Sequence, residues 1–190
     1  MSGRIIIVDD EPITRLDIRD ILEGAGYEVV GEASDGFEAI NICQELQPDL
    51  VIMDIKMPIL DGLTASKKIV SEGTTSGIIL LSAYSDDQYV KKATDFGALG
   101  YLVKPLHELS LLPMVELSLA KGRELKKMAS ELESLSKKLQ ERKVIEKAKG
   151  KLMDTEKITE EEAYKKIRSI SMKKRIPMIK VAELLVMKNE

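Results

Sequence analysis

Four short apolar runs in the first 105 residues each stop at a residue able to do chemistry. Arg4–Val8 runs into Asp9-Asp10, Leu50–Met53 into Asp54, Gly77–Leu81 into Ser82, and Tyr101–Val103 into Lys104. A buried carboxylate is costly unless it is paired or ligated, so Asp54 needs partners from elsewhere in the chain. In the strand order 2-1-3-4-5, one of the two common doubly wound orders, the first and third strands are neighbours. That order brings Asp9, Asp10 and Asp54 to one edge, where like charges raise one another's pKa unless a cation neutralises them. Hard oxygen ligands with no His or Cys nearby favour Mg²⁺. A carboxylate nucleophile, a divalent metal, a hydroxyl and an ammonium group together suit phosphoryl transfer to a carboxylate. Asp54 attacks phosphorus to give an acyl phosphate, while metal and lysine stabilise charge on the transferring oxygens. Each piece is weak alone; their order at four successive strand ends is strong.

The elements that must hold these residues alternate. Apolar, β-branched-rich runs at Arg4–Val8, Glu28–Ala33, Leu50–Met53, Gly77–Leu81 and Tyr101–Val103 read as strands. Helical apolar spacing fills Ile13–Glu23, Phe37–Leu46, Leu63–Val70 and Gln88–Phe96, with Gly, Asp-Gly and Pro turn signals between. Several strand runs are apolar on both faces, which suits a parallel sheet covered on both sides. The expected fold is α/β, a doubly wound five-stranded parallel sheet of flavodoxin-like type, with its chemistry beyond the carboxyl ends of the strands.

After residue 105 the pattern changes. Pro113 fits a helix only in its first turn, which predicts a helix start near Ser110. Leu125, Leu132 and Leu139 recur every seven residues with Met128 and Leu135 between them, a short coiled-coil seam. Gly122 interrupts this helix and reads as a hinge. Three short helices follow. Val144, Ile145, Ala148 and Leu152 share a face of the first. Thr159 to Glu162 is a capping box opening the second, whose Ala163, Ile167 and Ile170 face inward. Pro177 separates it from the third, with Met178, Val181, Ala182 and Leu185 as its stripe. The expected organisation is 1–120 as the α/β domain, 110–142 as a helical linker and coiled coil, and 143–190 as a small three-helix module.

Charge divides along the same line. Residues 1–120 hold 9 Lys+Arg against 20 Asp+Glu, a balance of −11; residues 121–190 hold 20 against 12, a balance of +8. An acidic domain joined to a basic module points to a polyanionic partner, with a merely solvated Lys-rich tail as the bland alternative. Hydrophobic content of 44 % and charged content of 32 % are ordinary for a globular protein. No apolar run reaches 18 residues and no signal pattern opens the chain, so a cytoplasmic protein is expected. The lone Cys43, at helical spacing from Ala39 and Ile40, reads as a core filler. His107 is the only histidine and reads as a solvent-facing loop residue.

VDDEP, MDIKMPILDG, LLSAY and YLVKP resemble the receiver domain of two-component response regulators over residues 1 to about 120. That resemblance implies Asp54 as phospho-acceptor and Asp10, Asp54 and the Lys56 carbonyl as direct Mg²⁺ ligands, with Asp9 assisting through water. It implies Ser82 and Tyr101 as the switch pair and Lys104 as the phosphate-binding lysine, on a cis Lys104–Pro105 bond. A sensor histidine kinase is the implied partner, and the chain is an acceptor on Asp54 rather than a dedicated enzyme. IEKAKGKLM, EEAYKKIRSISM and IPMIKVAELL resemble the ANTAR domain, an RNA-binding output module of transcription antiterminators. The chain as a whole is most similar to the antiterminators of ethanolamine utilisation.

The expected RNA contacts are Lys149 and Lys151 on either side of Gly150, and Arg168, Ser171, Lys173 and Arg175 on the second helix of the module. Arginine planes should do most of the base stacking, since Tyr164 is the module's one aromatic. The chain is thus read as a phosphorylation-activated regulator that binds RNA hairpins in nascent transcripts and prevents termination, dimeric when phosphorylated. Glu162–Leu185 could instead pass for a DNA-binding helix-turn-helix with KKRIP as its turn. A metal-dependent hydrolase ranks last, because no general base or substrate pocket is legible. Lys56 and Tyr84 should flank the path of attacking water and make the acyl phosphate long-lived.

Overall fold

A computed structural model describes residues 3–83 and 87–187. They form two compact units, Met1–Lys127 and Met128–Glu190. In the first, β1 (Arg4–Val8), β2 (Glu28–Ala33), β3 (Leu50–Asp54), β4 (Ile78–Ser82) and β5 (Gly100–Val103) make one parallel sheet in the order β2-β1-β3-β4-β5. Helices α1 (Pro12–Gly24), α2 (Gly36–Leu46), α3 (Gly62–Glu72) and α4 (Asp87–Phe96) connect the strands. The doubly wound five-stranded sheet is as expected.

Burial on both faces explains why the strands are continuously apolar. Ile6, Val8, Val51, Met53, Ile78 and Leu80 face α2, α3 and α4 through Ala39, Cys43, Ala65, Ile69 and Ala93. Ile5, Ile7, Leu50, Ile52, Ile79 and Leu81 face the other way, onto Ile18 and Leu22 of α1 and Leu111, Val115 and Leu119 beyond β5. Each such side chain contributes roughly 1.5–3 kcal/mol by leaving water. Cys43 is fully buried, and burial pushes its thiol pKa up to about 12. It is an inert core filler, as its spacing suggests.

Leu111, Val115 and Leu119 belong to α5, a continuous helix from Glu108 to Glu156. It starts two residues before the expected Ser110, because the His107 carbonyl accepts the Ser110 and Leu111 N–H groups. Pro113 is tolerated in the second turn: the carbonyl it leaves without a donor belongs to Leu109, which is almost fully exposed to water. No break separates the expected linker from the first helix of the module. Gly122, expected as a hinge, lies inside this continuous helix. A β carbon there would lie 2.8 Å from the Ser76 carbonyl oxygen, so the glycine lets α5 pass close to the loop before β4.

The second unit completes its core with α6 (Glu160–Lys174) and α7 (Met178–Met187). Ala148, Leu152, Ala163, Ile167, Val181 and Ala182 are its buried centre. The Thr159 capping box forms as expected, with Glu162 and Thr159 each bonding the other's backbone N–H. Arg175 ends α6 in the left-handed conformation at φ 53°.

Two glycines of α5 make opposite predictions. Gly122→Ala should lower stability by about 1–3 kcal/mol, because the contact with Ser76 outweighs the helix propensity gained. Outside its own helical turn, Gly150 has no atom within 4 Å of its missing β carbon, so Gly150→Ala should raise stability by about 0.5–1 kcal/mol. Denaturant melts of each variant beside the parent check both signs.

Candidate functional site

The sheet register assembles the site. Val8 pairs with Met53, so Asp9 and Asp54 emerge side by side at the carboxyl ends of β1 and β3. Ser82 pairs with Val103, and the Lys104 N–H donates to the Ser82 carbonyl at 2.8 Å, which launches the lysine from β5 toward the same edge. The Lys104–Pro105 bond is cis. Lys104 Nζ then lies 2.6 Å from Asp9 Oδ2 and 3.1 Å from Asp54 Oδ1. Asp9 is fully buried, Asp54 is 4 % exposed, and Asp10 is open to solvent.

Backbone geometry explains the closing glycine of MDIKMPILDG. A β carbon on Gly62 would stand 1.8 Å from the Asp54 carbonyl oxygen. The Gly62 N–H donates to the Ile55 carbonyl at 3.0 Å, folding the loop back against β3. Asp61 caps α3 by accepting the Thr64 N–H at 3.0 Å. Nothing in the sequence reading singled out Gly62 beyond its turn signal, since a close approach by a backbone from elsewhere leaves no local pattern.

Electrostatics make Asp54 a carboxylate that needs a cation. Burial, the largest cause, holds its pKa above the ordinary carboxylate range; Lys104 opposes this, while Asp9 and Asp10 add to it. Burial works against the Lys104 charge, but the hydrogen bond to Asp9 and the charges of Asp54 and Asp9 outweigh it and hold the ammonium above its usual value. Asp9, Asp10 and Asp54 each offer an oxygen, and these atoms lie within 4.8 Å of one another. An all-oxygen donor set with one solvent-facing member suits a hard divalent cation that keeps waters.

The remaining expected residues are placed as follows. Ser82 is buried at the end of β4, and Tyr101 is half-buried against the sheet core beside it. Lys56 is exposed, two residues beyond Asp54. Tyr84 lies outside the described residues. A large cavity of about 1020 Å³ is elsewhere, between α3 and α4, and of the expected site residues that are described only Lys56 lines it.

In the second unit the six expected RNA residues divide. Lys149 is only 7 % exposed and pairs with Glu146 at 2.8 Å and Glu160 at 2.6 Å, tying α5 to α6. Lys151 donates to the Val186 carbonyl and so caps the last turn of α7. Ser171 Oγ donates to the Ile176 carbonyl at 2.6 Å and closes the end of α6. Arg168, Lys173 and Arg175 are exposed. Sequence spacing could not separate these groups, because a lysine turned inward onto carboxylates and one turned outward read alike.

The raised Asp54 pKa has a signed consequence. An acid held above its unfolded value destabilises the fold once ionised, a penalty present above the folded pKa and absent below the unfolded one. Asp54→Asn should therefore melt higher than the parent at pH 7–8 in EDTA, and the gap should close as pH falls toward 4. Thermal melts across that range check it.

Comparisons with known proteins agree with this geometry. Residues 5–116 match the response regulator receiver domain, and residues 133–186 match the ANTAR domain. The transcriptional regulatory protein PdtaR of Mycobacterium tuberculosis is 41% identical over 183 residues, which is 96% of this chain and 89% of PdtaR. The chemotaxis protein CheY of Thermotoga maritima is 43% identical over 105 residues, 55% of this chain and 88% of that protein. A CheY from Borrelia burgdorferi, solved in complex with CheX, BeF3 and Mg²⁺, superimposes with a TM-score of 0.57 at 31% identity, covering 60% of this chain and 86% of that one. Strand order, the acidic cluster with its lysine, and two family matches in one chain thus agree: the protein belongs to the response regulators, with a receiver domain followed by a C-terminal ANTAR domain.

Proposed function

We propose that this response regulator accepts a phosphoryl group on Asp54 from a sensor histidine kinase and, once phosphorylated, binds RNA hairpins in nascent transcripts to prevent termination. The observation that carries the first half is the Asp54 carboxylate, nearly buried, with Lys104 3.1 Å from its oxygen. An Asp54 oxygen attacks phosphorus in line, the bond from phosphorus to the donor breaks, and the donor leaves with its electron pair. Lys104 takes up negative charge on the transferred oxygens, and Ser82 hydrogen-bonds one of them. Mg²⁺, held by Asp9, Asp10, Asp54 and the Lys56 carbonyl, would neutralise charge on the phosphoryl group when bound. Tyr101 moves into space that Ser82 vacates, giving the phosphorylated state a different surface.

The ANTAR match and the +8 charge of residues 121–190 support an RNA partner. Arg168, Lys173 and Arg175 are the exposed cations of the six expected contacts, whereas Lys149, Lys151 and Ser171 hold the module together. Self-association is supported by the α5 seam. Leu125, Met128, Leu132, Leu135 and Leu139 are 43–68 % exposed in the single chain, an apolar stripe that a second copy would cover. Pairing two basic modules raises their effective concentration for paired RNA sites. Ethanolamine control rests on the sequence resemblance alone.

Gel shifts with an RNA hairpin and a duplex DNA, with and without acetyl phosphate, test the reading. The hairpin should bind, more tightly after phosphorylation, and its affinity should fall steeply with salt as counterions are released. Arg168→Ala should cost about 1–3 kcal/mol of that affinity. Preference for the duplex would favour the helix-turn-helix reading, and equal hairpin affinity with and without phosphate would remove phosphorylation as the switch.

A further inference from the structure

We propose that Arg15 is a positioning residue for the acidic pair, fixing the peptide plane between Asp9 and Asp10 so that Asp10 presents its carboxylate to a divalent cation. The inference rests on reading Asp9, Asp10 and Asp54 as the metal site. Asp9 is held from several sides. Its N–H donates to the Ala33 carbonyl at 3.1 Å, its Oδ1 accepts the Glu11 N–H at 3.0 Å, and its Oδ2 faces Lys104. Its carbonyl accepts from Arg15 Nη1 at 2.6 Å. That carbonyl shares a rigid plane with the Asp10 N–H, so the guanidinium sets the axis about which Asp10 turns. Asp10 faces solvent and lacks the packing that fixes Asp9 and Asp54.

The guanidinium is itself held. Arg15 Nε lies 3.1 Å from Glu32 Oε2 on β2, and Glu32 also pairs with Arg19 of α1. The Arg15 and Glu32 side chains are 18 % and 22 % exposed, so this pair is screened less than a surface one. Glu32 sits opposite Ile7 in the sheet, which ties the loop after β1 to a rigid neighbour strand rather than to the loop itself. The planar guanidinium sends Nε to Glu32 and Nη1 to the Asp9 carbonyl in one fixed geometry, whereas a freely rotating ammonium does not fix the plane it donates to.

Charge and positioning predict opposite results, which makes the role testable. Arg15 is a cation near a cation site, so on charge alone Arg15→Ala should tighten metal binding and Arg15→Lys should leave it unchanged. If Arg15 positions Asp10, both variants weaken Mg²⁺ binding by about ten-fold, the scale on which groups that orient metal ligands act. Ca²⁺ tolerates irregular coordination better than Mg²⁺, so the ratio of Mg²⁺ to Ca²⁺ affinity should also fall. Glu32→Gln should shift both quantities the same way. The measurement is calorimetric titration of the full-length unphosphorylated chain with each ion, on variants whose circular dichroism matches the parent. Should Arg15→Lys fail to fold, Arg15→Ala decides the question, because charge alone predicts tighter binding there and positioning predicts weaker. Unchanged or tighter Mg²⁺ binding in the folded variants overturns the positioning role, whereas a parent that binds no Mg²⁺ overturns the reading of the site beneath it.

Discussion

The structure of the receiver is organised around one unfavourable object, a carboxylate at the end of a central strand with another beside it. Asp54 and Asp9 are both nearly or fully buried, and only Lys104 reaches between them among the described ion pairs. Burial above all, with Asp9 and Asp10 adding to it, holds Asp54 above its ordinary pKa against the pull of Lys104, and one ammonium beside three acids leaves room for a second cation. The parallel register brings β1 and β3 together, the bond from the Lys104 N–H to Ser82 aims the lysine, and Gly62 lets the loop close over the Asp54 carbonyl. A packed core of about two dozen apolar side chains serves to hold four short strand ends in that arrangement.

The same logic of occupied and unoccupied charge runs through the basic half. A count of lysines alone overstates what can meet a polyanion. Lys149 is neutralised by Glu146 and Glu160, Lys166 by Glu156, and Lys151 is spent on a helix end. These contacts stabilise a small unit whose buried centre is six residues, the kind of core that needs polar ties as well as apolar ones. Arg168, Lys173 and Arg175 remain turned to solvent; two of the three are arginines, and Arg175 ends α6 in the left-handed conformation.

Much of this was legible in the residues themselves. Strand ends carrying Asp9, Asp54, Ser82 and Lys104 sit where the apolar runs stop, because a run buried on both faces has only its ends free for chemistry. The Thr159 capping box and the break at Pro177 are local rules, and both held. What failed to show were features set by distant approach. Gly122 read as a hinge because a helix glycine is locally weak, and only the Ser76 carbonyl beside it explains the residue. The continuity of α5 was hidden for a related reason: a helix that loses its core contacts and regains others changes its pattern without breaking. Arg15 and Glu32 are far apart in sequence and unremarkable in type, so the hold of Arg15 on the Asp9 carbonyl, braced by Glu32, shows only in the fold.

We propose that Asp54, and no other carboxylate of the cluster, is the nucleophile. Intact-mass spectrometry of the full-length protein treated with acetyl phosphate, with and without Mg²⁺, tests it most directly. One added phosphate is expected that requires Mg²⁺, disappears in Asp54→Ala, and persists in a folded Ser82→Ala. Undiminished phosphate uptake by Asp54→Ala would contradict it.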